Sequence, residues 1–338
     1  MKLTTIGLDL AKNVFQVHGV DEHGKKTLGK ALKRPQVLAF FANLPPCLVG
    51  MEACGGAHYW ARELGKLGHT PRLIAPQFVK PYVKGDKNDA NDAEAICEAV
   101  GRPNMRFVAV KTPAQQDLQA LHRVRERHVA DRTAKVNQVR GLLAEYGIVI
   151  GKGIAQARQR LPEILDDAGN GLSDAARALF RELYDEIARL DGQVGGCDRK
   201  VGLAAKASAP CQRLMQVAGI GPLIATALVA AVGDGRQFED GRQLAAWLGL
   251  VPRQDSSGGK PRLLGISKRG QPQLRALLIH GGRSAVRAAA HKDGPRSRWT
   301  DDLVRRRNKN IAAVAVANKN ARIAWALLTR EEDYRPAA

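Results

Sequence analysis

The sequence has few of the residues that mark several classes of protein. Aromatic residues make up 5% of its 338 positions, so Leu, Val, Ile and Ala must fill the core. The five cysteines form no Cys-x-x-Cys pair, which argues against a disulfide framework or a zinc site and favours a reducing compartment. No signal peptide is visible, and no apolar run approaches the roughly 20 residues that cross a bilayer. We therefore expect a soluble cytoplasmic protein with no membrane partner.

Acidic residues are outnumbered, with 33 Asp and Glu against 53 Lys and Arg, which gives a net charge of +20. The excess is concentrated at the C-terminal end: residues 241–338 contain 20 basic and 7 acidic residues, whereas residues 1–110 contain 15 and 10. Such a field attracts polyanions and gives salt-sensitive affinity for nucleic acid. A ribosomal or merely basic protein is the alternative. We expect the C-terminal third to be the main contact surface for nucleic acid.

The first 110 residues have the pattern of an α/β domain. Residues 3–20 form two β-rich runs that turn around residues 11–13, and a short strand is predicted at residues 47–51. Apolar residues have helical spacing over residues 35–44 and 57–67, and a further strand is predicted at 72–75. Strands that alternate with helices predict a mixed sheet.

The remaining chain is expected to be mainly helical, with one region at 111–207 and another at 208–338. Apolar residues at helical spacing over residues 114–146 and 173–194 predict a long helical hairpin, with Ser173 as the N-cap of the second helix. The charged residues between them are either a solvated structural face or a surface for oligomerisation or for holding nucleic acid. Further helices are predicted at the residues 243–250, 272–290 and 300–330, and a loop at 252–272.

Two apolar helical segments flank the sequence Gly219-Ile220-Gly221-Pro222, which is typical of a helix-hairpin-helix. Glycine permits positive φ and close approach of the backbone to a partner. The free N–H groups at the start of the second helix suit a phosphate, and Pro222 in its first turn removes no hydrogen bond. Contact with the DNA backbone through Gly219 and Gly221 is expected, and plain helix packing is the alternative.

Four acidic residues occupy positions where a structural role is hard to assign. Asp9 lies in the middle of the first predicted strand, and Glu52 ends an apolar run. Asp89 and Asp92 are three residues apart and share one face of a helix. Four converging carboxylates would form an oxygen-rich site for Mg²⁺ or Mn²⁺ that acts on a phosphodiester. The alternatives are strand-end caps for Asp9 and Glu52, and N-caps for Asp86, Asp89 or Asp92.

A candidate nucleophile lies in the predicted loop, where Ser256 and Ser257 are surrounded by glycines and cations. A serine hydroxyl is a weak nucleophile unless a base or a metal activates it. Composition alone does not choose between the two serines, and an ordinary loop is the alternative. The basic residues expected to contact nucleic acid here are Arg253, Lys260, Arg262, Lys268 and Arg269.

The order strand-Asp, strand-Glu, helix-Asp resembles the ribonuclease-H-like fold and, within it, the RuvC-like Holliday-junction resolvases. A sugar-kinase or actin-like ATPase also opens with a Gly-x-Asp strand, but its Gly-rich phosphate loops are missing from this sequence. The motifs IGLDLAK, GMEACG, DKNDANDA, VAGIGP and GLVPRQDSSGGK together resemble the DEDD insertion-sequence transposases. Those enzymes are the RNA-guided bridge recombinases, and the chain is most similar to their seeker-RNA branch. The resemblance covers almost the whole chain.

This resemblance implies a RuvC-like domain at 1–110, a coiled-coil region at 111–207 and a C-terminal transposase domain at 208–338. It implies metal binding by Asp9, Glu52, Asp89 and Asp92. It also implies nucleophilic attack by Ser257, the serine immediately before the glycine, through a phosphoserine intermediate. The implied partners are donor and target DNA, a guide non-coding RNA and further subunits in a homodimer or homotetramer. The serine of one subunit then completes the acidic site of another.

Two other functions remain open at this point. A hydrolytic resolvase would use the same carboxylates with water as the nucleophile and leave Ser257 idle. A non-enzymatic nucleic-acid-binding protein would use the acids only for structure. In each case the charge favours a nucleoid-associated location in a bacterial cytoplasm.

Overall fold

The computed structural model describes residues 3–86, 88–291 and 293–335. Its backbone divides into two units, Met1–Pro113 and Ala114–Ala338, and each unit contains its own hydrophobic core. In the part of the chain that is described, no helix combines the length and the apolar character that crossing a membrane requires.

The first unit is built on a six-stranded mixed sheet. Its strands are β1 (Leu3–Asp9), β2 (Val14–Asp21), β3 (Lys26–Lys33), β4 (Leu48–Glu52), β5 (Thr70–Ile74) and β6 (Phe107–Val108). Their spatial order is β3-β2-β1-β4-β5-β6, in which β1, β4 and β5 are parallel and the other neighbours are antiparallel. The expected α/β architecture with a mixed sheet is confirmed for this part of the chain.

Short helices cover this sheet. They are α1 (Val37–Ala42), α2 (Ala57–Lys66), α3 (Pro76–Val79) and α4 (Asp89–Val100), with 3₁₀ turns at Arg34–Gln36 and Lys80–Tyr82. Helix α4 packs on β1, β2 and β4, the middle of the sheet. Its buried residues, among them Ala93, Ile96 and Val100, supply the apolar face that this position requires.

The second unit is mainly helical. Its helices are α5 (Pro113–Ala144), α6 (Ile154–Asp166), α7 (Asp174–Ala207), α8 (Ala209–Met215), α9 (Pro222–Val232), α10 (Gly241–Trp247), α11 (Pro272–Ala289), α12 (Pro295–Arg306) and α13 (Lys309–Arg330). A two-stranded antiparallel sheet, β7 (Pro252–Gln254) and β8 (Leu263–Ile266), lies between α10 and α11. Helix α13 packs against α10 and α11, so the last helix closes the core of this unit.

The second helix of the predicted hairpin is longer than its sequence pattern indicates. It begins as expected, with the Ser173 hydroxyl accepting a hydrogen bond from the backbone N–H of Ala176 at 3.2 Å. It continues beyond residue 194 because Cys197, Val201 and Ala205 extend its buried stripe past the glycines in its middle. Burial of an apolar stripe outweighs the cost of about 1 kcal/mol for each helical glycine.

Two other expectations from the sequence are wrong. The region 252–272 is not a plain loop, because it contains the strands β7 and β8. The region 300–330 is not one helix: α12 ends before Arg307, which is extended, and Asn308 caps α13 by accepting a hydrogen bond from the backbone N–H of Ile311 at 2.9 Å. The cap therefore marks the start of a separate helix.

Ion pairs connect α5 to α7 along their length. The pairs are Arg125 with Asp198 at 2.6 Å, Arg132 with Asp191 at 2.7 Å and Lys135 with Glu186 at 2.7 Å. These three cations form ion pairs within the second unit. This favours the interpretation that they stabilise the helix pair rather than bind nucleic acid or another subunit. Whether the region 111–207 forms a coiled coil stays a prediction.

Candidate active site

Three carboxylates of the first unit lie together at the end of strand β1. Asp9 is the last residue of β1, and Asp89 and Asp92 lie in the first turn of α4. One carboxylate oxygen from each lies within 4.8 Å of the other two. The expectation that Asp9 lies in the middle of its strand is wrong. It stands at the carboxyl end of β1, where the half-buried side chain is beyond the packed interior of the sheet.

Glycines at two paired positions allow α4 to lie directly on the sheet. Gly7 of β1 pairs with Gly50 of β4. A Cβ atom at Gly7 would stand 2.0 Å from the carbonyl oxygen of Ala93, so no side chain fits there. A Cβ atom at Gly50 would stand 2.8 Å from the Cβ of Val100. Helix α4 therefore packs directly on the backbone of β1 and β4 at these glycines, and its first turn lies close to Asp9.

Helix α4 contains Asp89 and Asp92, but neither of these acids is its N-cap. Asn88 is the N-cap of α4, and its side-chain oxygen accepts a hydrogen bond from the backbone N–H of Asn91 at 2.9 Å. Asp86, Asp89 and Asp92 are therefore not N-caps, which removes that structural alternative. The negative charges of Asp89 and Asp92 are also favourable in the first turn of a helix.

Glu52 ends β4, the parallel neighbour of β1. Leu8 pairs with Met51, so the next residues, Asp9 and Glu52, leave the two strands at the same edge of the sheet. Glu52 is not one of the three acids that lie within 4.8 Å of one another. It is near enough for its charge to raise the pKa of Asp9.

The electrostatics of this edge favour a bound cation. The pKa of Asp9 is raised to about 6, first by burial and then by the negative charges of Asp92, Asp89 and Glu52. Asp9 and Asp92 are half-buried and Asp89 is exposed. Carboxylates that repel one another at this spacing form an oxygen-only donor set, which is the set that Mg²⁺ and Mn²⁺ bind. The residues present therefore fit a divalent cation.

The candidate nucleophile lies at the tip of the β7–β8 hairpin. The backbone N–H of Lys260 donates a hydrogen bond to the carbonyl oxygen of Ser257 at 3.0 Å, and the two residues pair as an antiparallel bridge. Between them Gly258 and Gly259 have φ of 54° and 75°. Positive φ at both central residues is typical of a type I′ turn, in which glycine is favoured.

The two adjacent serines have different surroundings. The Ser256 hydroxyl accepts hydrogen bonds from the backbone N–H of Arg262 and the side-chain amide of Gln254, each at 3.0 Å. The exposed Ser257 hydroxyl bonds to none of the residues that the structure describes. Of the two serines, Ser257 is therefore the one whose hydroxyl has no hydrogen-bond partner among the described residues.

Close backbone contacts hold the base of the hairpin. A Cβ atom at Gly270 would stand 1.9 Å from the carbonyl oxygen of Trp247, and one at Gly249 would stand 2.4 Å from that of Arg269. The Arg275 side chain donates hydrogen bonds to the carbonyl oxygens of Leu248 and Arg269, at 3.2 and 2.6 Å. The hairpin therefore projects from a firmly packed base.

The predicted nucleic-acid contacts of this region are all exposed. They are Arg253, Lys260, Arg262, Lys268 and Arg269. Arg262 has one nearby acid, Asp255, at 4.0 Å. These cations surround the hairpin and give it a positive potential that favours an approaching phosphate.

The two glycines of the candidate helix-hairpin-helix have different environments. Gly219 has φ of +87°, and a Cβ atom there would stand 2.5 Å from the carbonyl oxygen of Gly281 in α11. Its small size is therefore used for packing within the unit. Gly221 is the N-cap of α9, and none of the described residues comes within 4 Å of a Cβ atom added there. Contact of either glycine with DNA stays a prediction.

Sequence reasoning missed the glycines that dock α4 and the partner of Ser256. Gly7 and Gly50 are each flanked by apolar strand residues, a pattern that signals close approach of another backbone. Gly258-Gly259 is itself a hairpin signal that could have predicted β7 and β8. No local pattern marks Gln254, because its hydrogen bond to Ser256 depends on how the strand ends.

Comparison with known proteins gives a consistent result. Residues 211–298 match the family described as "Transposase IS116/IS110/IS902 family", and residues 6–148 match a DEDD transposase family of the IS110 group. The chain is 57% identical to a "Probable family 20 transposase" of Pseudomonas aeruginosa, over 99% of this chain and 100% of that protein. It is 48% identical to the "Transposase for insertion sequence element IS1111A" of Coxiella burnetii, over 98% of this chain and 92% of that protein. It is 41% identical to the "Transposase for insertion sequence element IS1328" of Yersinia enterocolitica, over 97% of each.

Proposed function

The chain belongs to the IS110 family of insertion-sequence transposases, and from this premise we propose that it is an RNA-guided recombinase that moves DNA strands through a phosphoserine at Ser257. The observation that carries the proposal is the group of Asp9, Asp89 and Asp92, whose oxygens lie within 4.8 Å of one another. An acidic group inside a protein of net charge +20 is explained if a cation neutralises it and nucleic acid covers it.

In this proposal Asp9, Glu52, Asp89 and Asp92 hold one or more divalent cations, Mg²⁺ or Mn²⁺. Such a cation, when bound, neutralises phosphate oxygens and lowers the energy of a transition state with developing negative charge. The protein supplies the donor atoms at a fixed spacing, because Asp9 ends a central strand and α4 is held on that strand by Gly7. Preorganised ligands avoid the cost of gathering Asp9, Asp89 and Asp92 during the reaction.

The proposed chemical step is attack by the Ser257 hydroxyl oxygen on a DNA phosphorus atom. The new Oγ–P bond forms as the bond from phosphorus to one deoxyribose oxygen breaks, and the serine proton ends on the released DNA hydroxyl. The phosphodiester is exchanged for a phosphoserine ester, so the bond energy is kept. A hydroxyl of another DNA strand then attacks this ester, releases Ser257 and joins the strands without ATP. Support comes from the exposed Ser257 hydroxyl, free of hydrogen bonds among the described residues.

We assign target choice to a guide RNA encoded by the same element. Base pairing can specify a long site that a few side chains cannot, while cations hold the backbones. The exposed cations around the hairpin and the excess of basic residues in 241–338 support this assignment. We also propose a nucleoid-associated location in the bacterial cytoplasm, which the same positive charge supports.

The assembly that we propose is a homodimer or homotetramer with residues 114–194 in the subunit contacts. The proposed domains of each subunit are a RuvC-like domain at 1–110, a helical coiled-coil region at 111–207 and a C-terminal transposase domain at 208–338. Exposed apolar side chains between α5 and α6 and in the first turns of α7 support such contacts: Tyr146, Val149 and Leu179 are 47%, 82% and 49% exposed. Exposed apolar residues that are close in a helical region favour association.

A strand-transfer assay tests the proposal. The full-length protein is mixed with donor and target DNA, Mg²⁺ and RNA transcribed from the non-coding flank of its gene. We expect recombined DNA only with the RNA, and a new target when the pairing segment of the RNA is changed. Ser257→Ala and Asp92→Asn should each abolish the product. Cleavage without joining that survives in Ser257→Ala would indicate the hydrolytic resolvase instead. Full activity in Asp9→Asn would indicate that the acids are structural.

A further inference from the structure

We propose that Ser256 is a positioning residue that holds the hairpin tip so that the Ser257 hydroxyl is presented for attack. This inference rests on the proposed function, because it gives a role to the neighbour of the nucleophile. Ser256 itself does not touch DNA in this proposal. It acts through the backbone on either side of the turn.

The Ser256 hydroxyl replaces a backbone acceptor in the hairpin ladder. The backbone N–H of Asp255 donates to the carbonyl oxygen of Arg262 at 3.0 Å. In a regular antiparallel ladder such a pair exchanges both bonds, so the N–H of Arg262 would return to the carbonyl of Asp255. It donates instead to the Ser256 hydroxyl at 3.0 Å. A side chain therefore closes the ladder at the last pair before the tip.

The tip has few other hydrogen bonds to hold it. Its turn is closed by the N–H of Lys260 and the carbonyl oxygen of Ser257. Pro261 lies between that turn and the strand and has no N–H to donate. Gly258 and Gly259 have positive φ and nothing within 4 Å of an added Cβ, so packing against the described residues does not restrain them. The bond to Ser256 is therefore one of the few constraints on the orientation of the turn.

A second donor fixes the Ser256 side chain. The amide nitrogen of Gln254, the last residue of β7, donates to the Ser256 hydroxyl at 3.0 Å. A hydroxyl oxygen has two lone pairs, and these two donors occupy both. Ser256 is therefore unsuited to attack a phosphorus atom. In this proposal the two adjacent serines have different roles: Ser256 orients the turn, and Ser257 is the nucleophile.

Removing the Ser256 hydroxyl should change the reaction more than the binding. The Arg262 N–H and the Gln254 amide would lose their acceptor, and the turn that carries Ser257 would reorient. A misplacement of about 1 Å can slow a reaction by roughly 100-fold. No charge is lost, so the phosphate contacts that dominate affinity remain. We expect adduct formation at saturating DNA to slow by about 10- to 100-fold, with an unchanged half-saturating DNA concentration.

The test measures formation of the covalent protein–DNA adduct by the full-length protein with Mg²⁺ and guide RNA, using DNA nicked so that rejoining is blocked. Ser256→Ala is compared with Ser256→Thr, which keeps the hydroxyl oxygen, and with Ser284→Ala, a matched exposed serine on α11. We expect Ser256→Thr to form the adduct at a rate within about 3-fold of the wild-type rate. We expect Ser284→Ala to form it at the wild-type rate. Equal losses in Ser256→Ala and Ser256→Thr, no loss in Ser256→Ala, or a raised half-saturating DNA concentration would overturn the proposal.

Hydrogen exchange separates this inference from the proposed function. If the wild type forms no adduct at Ser257, the proposed function fails, and the role of Ser256 is judged from the backbone amide of Arg262 in the free protein. That amide should exchange about 10-fold faster in Ser256→Ala than in the wild type or Ser256→Thr, since one hydrogen bond is lost. The same exchange rate in all three proteins would refute the positioning role whatever the reaction is.

Discussion

Gly7 of β1 lies directly against Ala93 of α4, so closely that a Cβ atom on Gly7 would stand 2.0 Å from the Ala93 carbonyl oxygen. Ala93 follows Asp92 in the chain, so the contact that docks the helix on the sheet also fixes an acid beside Asp9. A single backbone contact therefore both packs α4 on the sheet and sets the distance between the carboxylates of Asp9 and Asp92.

The first prediction concerns this contact. Gly7→Ala should destabilise the protein by about 3 kcal/mol or more, because the backbone of α4 must move away from β1. Gly65→Ala is the matched control in the same unit: its Cβ would meet only Pro71, at 3.9 Å, in an exposed helical position. The control should be neutral or gain up to about 1 kcal/mol. Free energies of unfolding from urea titrations measure both, and equal stabilities would refute the contact.

The second prediction concerns the pH dependence of stability in the absence of metal. The pKa of Asp9 is about 6 in the folded protein against 3.8 as its ordinary value, so folding favours the protonated form. The stability that this group contributes is complete below about pH 4 and is lost as the pH rises through 6. After a discount for partial solvent exposure, the loss is about 1–2 kcal/mol.

Asp9→Asn should therefore be more stable than the wild type by that amount at pH 7.5 in EDTA, and about equally stable at pH 4. Millimolar Mg²⁺ should raise the stability of the wild type and not that of Asp9→Asn. Urea titrations at pH 4 and pH 7.5, each with and without Mg²⁺, compare the free energy of unfolding of the wild type with that of Asp9→Asn under four conditions. An Asp9→Asn variant that is less stable at pH 7.5 in EDTA would contradict the electrostatic account of the acidic group.

The third prediction concerns the base of the hairpin. Gly270→Ala should destabilise the hairpin strongly, because its Cβ would stand 1.9 Å from the Trp247 carbonyl oxygen at φ of +70°. Gly265→Ala in β8 is the control, since nothing lies within 4 Å of its added Cβ. Hydrogen exchange of β7 and β8 amides should rise in Gly270→Ala alone. Protection that persists in both variants would show that the base does not hold the hairpin.

The fourth prediction concerns the cations near Ser257. Lys260→Gln should weaken nucleic-acid binding and reduce the slope of log K against log salt concentration by about 1, because one phosphate contact is lost. Arg160→Gln is the matched control, because Arg160 is already paired with Glu163 at 2.7 Å on α6. Fluorescence anisotropy over a salt series measures both slopes. A slope that is unchanged in Lys260→Gln would exclude Lys260 as a phosphate contact.

The order of the acids could be predicted from sequence because each has a local signal. Asp9 and Glu52 directly follow apolar residues of predicted strands, and Asp89 and Asp92 have helical spacing. The docking of α4 on Gly7 could not, because it joins segments far apart in the chain and depends on the tertiary fold. The sequence does not locate the end of β1 at Asp9 for the same reason, because a strand boundary depends on the pairing of its neighbours.

The choice between Ser256 and Ser257 shows a similar limit. Both serines have the same composition around them, so the local sequence does not distinguish them and only the family resemblance favours Ser257. The structure separates them through a bond from the Arg262 N–H, which exists only because the hairpin brings residue 262 beside residue 256. The sequence pattern predicts a loop here because β7 and β8 are only three and four residues long and Pro261 lies just before β8.

The most direct test of the account is to identify the residue that becomes joined to DNA. The full-length protein is incubated with guide RNA and blocked DNA, with Mg²⁺ or with EDTA, and the adduct is mapped by peptide mass spectrometry. The account predicts a DNA phosphate on Ser257 with Mg²⁺ and none with EDTA, in Asp92→Asn or in Ser257→Ala. An adduct on any other residue, or one that forms equally well in EDTA and in Asp92→Asn, would contradict it.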